Sequence, residues 1–90
     1  MGTALLTIKI MPDAIEANLE EIKLRAQEVA EKGNATKVRF EEQPIAFGLK
    51  AVILYFDIDE SNELDPIEES LKKIEHVNSV QVIDMRRAFG

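Results

Sequence analysis

Arg86-Arg87-Ala88-Phe89 brings two adjacent cations and an aromatic ring to the end of the chain, directly after the apolar run from Val77 to Met85. Such residues grip anionic or apolar partner surfaces, and a chain end that is not held by something frays, so this end reads as a contact surface. Chemical catalysis has far less to draw on. His76 is the sole histidine and there is no cysteine, which leaves no set of Ser-His or Cys-His pairs to choose from. His76 is predicted at a helix end, where its charge is favourable. Carboxylates are plentiful, but on the solvent sides of helices they lack the burial that separates the pKa values of an acid-base pair. No Gly-x-x-x-x-Gly-Lys or Gly-x-Gly-x-x-Gly run cradles a nucleotide phosphate. The expectation is a protein that is not an enzyme and needs no cofactor.

One metal-like pattern stands in the chain. Asp57, Asp59, Ser61, Glu63, Asp65 and Glu68 fall on positions one, three, five, seven, nine and twelve of a calcium loop. Two features oppose it: Asn62 occupies the position where that loop needs glycine, and the preceding segment reads as a strand instead of a helix. The expected reading is a solvated acidic loop leading to a helix start.

Charge narrows the partners. With 17 Asp and Glu against 11 Lys and Arg, the net charge of -6 repels phosphate backbones, so direct nucleic-acid binding is not expected. The third strand-like segment carries one lysine among aliphatic residues, without the interleaved aromatic and basic residues of an RNA-recognition strand. The N-terminus lacks the pattern of a signal peptide and no apolar stretch approaches about 18 residues, which predicts a cytoplasmic protein with no membrane partner.

The elements that must position these residues follow from periodicity. Leu6, Ile8 and Ile10 alternate along a first strand, Ala4 to Met11, which Pro12-Asp13 stops. Asp13 with Glu16 resembles a capping box for a helix whose stripe is Ile15, Leu19, Ile22, Ala26 and Val29. Gly33-Asn34 ends it, glycine accepting the left-handed conformation there. Val38 and Phe40 face inward from a second strand, Thr36 to Gln43, placed at a sheet edge. After the turn Pro44-Ile45-Ala46-Phe47-Gly48, the segment Leu49 to Ile58 is apolar on both faces and so central. Asp65, as N-cap before Pro66, opens a second helix with Ile67, Leu71 and Ile74 inward, ending near His76. A last strand runs from about Ser79 to Met85. The order βαββαβ in one domain, residues 1–90, predicts an α+β ferredoxin-like fold with a four-stranded antiparallel sheet, order 4-1-3-2, and both helices on one face.

On that frame, three segments resemble a known family. Ile10-Met11-Pro12-Asp13 closes the opening strand, Pro44-Ile45-Ala46-Phe47-Gly48-Leu49-Lys50 matches a Pro-x-x-Phe/Tyr-Gly-x-Lys turn, and His76-Val77-Asn78-Ser79-Val80 begins the last strand. Together they resemble the guanine-nucleotide exchange domain family of translation elongation factor 1-beta, in its short archaeal form, over residues 3–90. The resemblance implies exchange of GDP for GTP on elongation factor 1-alpha, the GTPase that carries aminoacyl-tRNA. It implies a GTPase contact for Phe47, with Gly48 beside it. It also implies that the C-terminal tip pushes a cation toward the partner's magnesium site. Aligned on Val77-x-Ser79, Arg87 stands where the family has a lysine, with Arg86 before it, and a shifted alignment instead matches Phe89 to an aromatic residue of eukaryotic tails. The alternative class on the same fold is a small-molecule regulatory or ribosome-associated binding module.

Overall fold

Alternate residues of the first strand line one covered face of a sheet. The computed structural model describes residues 2–88, and within them β1 (Thr3–Pro12), α1 (Leu19–Lys32), β2 (Thr36–Pro44), β3 (Lys50–Asp59), α2 (Asp65–Lys72) and β4 (Val77–Ala88) follow in chain order. The strands form one antiparallel sheet in the order β2-β3-β1-β4, as expected for a ferredoxin-like fold. Leu6, Ile8 and Ile10 of β1 stand opposite Phe56, Leu54 and Val52 of β3, and all six are buried. Ile22, Ala26 and Ala30 of α1 and Ile67 and Leu71 of α2 join the same cluster, so both helices cover that one face. Among the described residues no polar or charged side chain is buried, and no helix is long and apolar enough to cross a membrane. Ala51 and Ile53 are buried on the opposite face, outside that cluster, which accounts for the apolar character of β3 on both sides.

Several boundaries differ from expectation for identifiable reasons. Helix α1 begins at Leu19, six residues after Asp13, with Asn18 as its N-cap: the Asn18 side chain accepts a hydrogen bond from the Glu21 amide at 3.2 Å. The Asp13 amide instead donates to the His76 carbonyl at 2.9 Å, tying the loop before α1 to the start of β4. Ile15 therefore lies in a loop and is 63% exposed, not in the core stripe. Leu64, not Asp65, caps α2, without a side-chain hydrogen bond, and α2 ends at Lys72. His76 lies beyond it in a left-handed turn, φ 69, with Nδ1 3.5 Å from Asp13 and Nε2 3.4 Å from Glu75.

Gly33 is also not where the chain turns left-handed. Its φ is -87, and the left-handed residue is Asn34, φ 70. What requires glycine is proximity: a Cβ at Gly33 would stand 2.5 Å from Cγ1 and 2.6 Å from Cδ1 of Ile67. The absent side chain lets the end of α1 pack directly on α2.

Strand β4 continues past Met85 through Ala88, opposite Leu6 to Thr3 of β1. Backbone pairing is indifferent to side-chain polarity, so the two arginines extend the ladder although they interrupt the apolar run.

Candidate functional site

The turn after β2 closes tightly. The Ile45 amide donates to the Leu49 carbonyl at 2.7 Å and the Leu49 amide to that of Ala46 at 3.3 Å, leaving Phe47 and Gly48 at the apex. Both take left-handed conformations, Phe47 at φ 61, ψ 31 and Gly48 at φ 81. Glycine does so freely, whereas a phenylalanine there costs roughly 1–2 kcal/mol. The ring recovers nothing by burial, being 91% exposed. A strained backbone carrying an exposed aromatic side chain is a feature of binding sites, since packing does not explain it.

Below this turn, Glu42 anchors the hairpin to α1. Lys23 Nζ donates to Glu42 Oε2 at 2.7 Å, and Lys50 Nζ stands 3.9 Å from Oε1 of the same carboxylate. The lysine hydrogen bond holds the Glu42 carboxyl below its ordinary pKa, and Glu42 in turn raises that of Lys23. Ile15 lies beside the turn: its Cδ1 is 3.7 Å from where a Cβ on Gly48 would be. Its four-residue spacing from Leu19 disguises it in the sequence as a helix residue.

The two arginines lie elsewhere. Arg86 is opposite Leu5 and Arg87 opposite Ala4, at the start of β1, whereas Pro44 and Lys50 flank the Phe47 turn beside the end of β1. Eight strand residues at about 3.3 Å each separate the two groups, so Phe47 and Arg87 stand on the order of 30 Å apart, at opposite ends of the sheet. They form two surfaces, not one. Phe89 falls outside the described residues.

Both arginines are already paired. Arg86 Nε lies 2.8 Å from Asp84 Oδ2, and Arg87 Nε lies 3.1 Å from Glu60 Oε2. Arg87 edges a cleft of about 400 Å³ between the end of β3, the following loop and β4, with Leu6, Ile58 and Leu64 among its apolar lining. Glu60 and Asp84 carry no sequence signal that singles them out among 17 acids; only the fold brings them to the arginines.

The residues of the calcium-like pattern are spread along this end. Asp57 and Asp59 close β3, Ser61 and Glu63 lie in the loop, and Asp65 and Glu68 belong to the first turn of α2. Asp59 accepts hydrogen bonds from the Ser61 amide at 2.9 Å and hydroxyl at 2.6 Å, and these lower its pKa. Asp57 faces Lys37 at 3.7 Å. Among the described residues no three His, Cys, Asp or Glu side chains converge as a metal site.

Comparison with known proteins adds to this geometry. Residues 5–88 match the family described as the EF-1 guanine nucleotide exchange domain, a span that contains both the Phe47 turn and the arginine pair. Three archaeal relatives carry the name Elongation factor 1-beta. That of Methanosarcina barkeri is 39% identical over 88 residues, covering 97% of this chain and 99% of the relative. That of Methanothermobacter thermautotrophicus is 38% identical over 88 residues, covering 97% and 98%. That of Methanocaldococcus jannaschii is 36% identical over 89 residues, covering 98% and 100%. With the Phe47 turn, the last strand and all of the sheet but the first two residues of β1 inside the matched span, this chain belongs to the EF-1 guanine nucleotide exchange domain family, with a guanine-nucleotide exchange role in translation elongation.

Proposed function

We propose that this protein accelerates release of GDP from elongation factor 1-alpha, without a chemical step of its own, by engaging that GTPase at two places. Phe47 is the apolar anchor, and Arg87, with Arg86 beside it, is the cation presented to the partner's magnesium and phosphate site. The observation that carries this reading is Phe47 itself, 91% exposed and held at φ 61.

Linkage supplies the mechanism. A GTPase that holds nucleotide at nanomolar strength does so with about 12 kcal/mol, part of it through magnesium bridging the phosphates. A protein that binds the empty GTPase better than the loaded one must weaken nucleotide binding by the same factor, at about 1.4 kcal/mol per tenfold. A guanidinium near the metal site opposes the magnesium charge and offers planar, forked donors to the groups the metal leaves, where a lysine would offer a point charge. Its contact with Glu60 is exposed on the arginine side, and such pairs are worth about 1 kcal/mol or less, so exchanging Glu60 for the partner's anions costs little.

The test is release of labelled GDP from the elongation GTPase of the same organism. Wild-type protein should shorten the release time, and Phe47→Ala and Arg87→Ala should each slow release at subsaturating concentration while remaining folded. Release no faster with the wild type than in buffer would overturn the reading. Arg87→Ala is a cleaner probe than truncation after Met85, which also removes the ladder pairs of Arg86, Arg87 and Ala88 with β1.

A further inference from the structure

We propose that Ile15 is the second residue of the apolar end that carries Phe47, and that this end supplies affinity for the GTPase while the arginine end drives nucleotide release. The proposal rests on the exchange reading above. Ile15 is an apolar side chain 63% exposed, left out of the core because α1 starts only at Leu19. Its Cδ1 comes within 3.7 Å of the place a Cβ on Gly48, the neighbour of Phe47, would occupy, so the two exposed apolar side chains share one corner of the molecule.

The loop that carries it is held in place. The Asp13 amide is bound to the His76 carbonyl at 2.9 Å, the Ala17 amide to that of Ala14 at 3.2 Å, and the Asn18 side chain to the Glu21 amide. A side chain presented from such a frame loses little further freedom on docking. Position decides the occupant: a surface of the GTPase that receives Phe47 meets Ile15 at the same corner, and the complement to one aliphatic and one aromatic group is an apolar hollow.

The separation of the two ends divides the labour between them. An apolar contact about 30 Å from Arg87 strengthens binding to the loaded and the empty GTPase alike. Uniform binding of that kind changes the concentration at which the exchange protein saturates and leaves the plateau rate unaltered.

The experiment measures GDP release against concentration of exchange protein, with circular dichroism checking that each variant is folded. Ile15→Ala should raise the half-saturating concentration about fivefold, about 1 kcal/mol at 1.4 kcal/mol per tenfold, with an unchanged plateau. Arg87→Ala should lower the plateau. Leu24→Ala, which truncates an apolar side chain of similar exposure on α1, should leave the curve where it is. A curve for Ile15→Ala that overlays wild type, a lowered plateau in that variant, or an equal shift in Leu24→Ala would each overturn the proposal. These outcomes leave the exchange reading standing, because that reading fails only if wild-type protein does not stimulate release.

Discussion

Replacing Gly33 with alanine separates two reasons for a glycine at a helix end. A left-handed requirement would penalise any side chain wherever it pointed, but Gly33 sits at φ -87, ψ 12, which alanine adopts without strain. The obstacle is Ile67. The new Cβ would lie 2.5 Å from its Cγ1, where carbon atoms otherwise settle at about 3.5–4.0 Å, so something must move by roughly 1 Å. Ile67 is 2% exposed and Leu71, in the same cluster, is fully buried, so there is no solvent to move into. Overpacking of this kind costs about 1–3 kcal/mol, offset by about 0.4–1 kcal/mol from the reduced freedom of the unfolded chain. The net loss should be about 1–2 kcal/mol, or a fall in Tm of roughly 4–16 °C for a chain of this size.

Urea and thermal unfolding followed by circular dichroism measure it directly. The decisive control is the same change in an Ile67→Ala background. That background is itself weakened by about 2–5 kcal/mol, but it removes both clashing carbons, so adding Gly33→Ala should cost nothing more. If Gly33→Ala were as stable as wild type, or equally damaging in both backgrounds, the close-approach explanation would be wrong.

Three further outcomes follow from the same structure. Phe47→Gly should leave stability unchanged or raise it by up to about 1 kcal/mol, since glycine relieves the left-handed strain, while GDP release slows; a larger loss of stability on urea unfolding would show that Phe47 is a packing residue. Asn18→Ala should cost about 1 kcal/mol through loss of the cap, and Asp13→Ala should leave helix content by circular dichroism unaltered, the reverse of what a cap at Asp13 requires. Because Lys23 lowers the folded-state pKa of Glu42, the stability of this pair is present above the ordinary value of 4.5 and is lost as pH falls through the depressed one. Glu42→Gln should therefore flatten the stability profile below about pH 4.5 and nowhere near neutrality, and an unchanged acid limb in unfolding curves would contradict the pairing.

The sheet and its order were legible because β1 alternates cleanly and β3 is apolar on both faces, which place them at the centre and β2 at an edge. The Phe47 turn was legible too, from Pro44 and Gly48 around a lone aromatic. What escaped was decided by partners distant in the chain. Asp13 followed by Glu16 looks like a cap and Ile15 like a stripe residue, yet the Asp13 amide is bound to the His76 carbonyl and the helix starts only at Leu19, behind Asn18. Gly33 has a local explanation that is plausible and incorrect, because the side chain it must avoid lies 34 positions further on. The arginines read as a free tip since side-chain polarity says nothing about whether β1 still has backbone groups to offer. Their separation from Phe47 depends on the register of three strand pairs, none of which periodicity specifies.

That separation makes the sheet a calliper. In a body 42 Å long and 17 Å thick, the jaws are set by how many residues the strands contain. Lengthening the β2 and β3 hairpin by two residues per strand would keep every side chain on its present face, yet carry Phe47 outward by about 7 Å. Strand length here is thus a measured dimension, and a sequence could conserve every core contact and still set Phe47 and Arg87 at a different spacing.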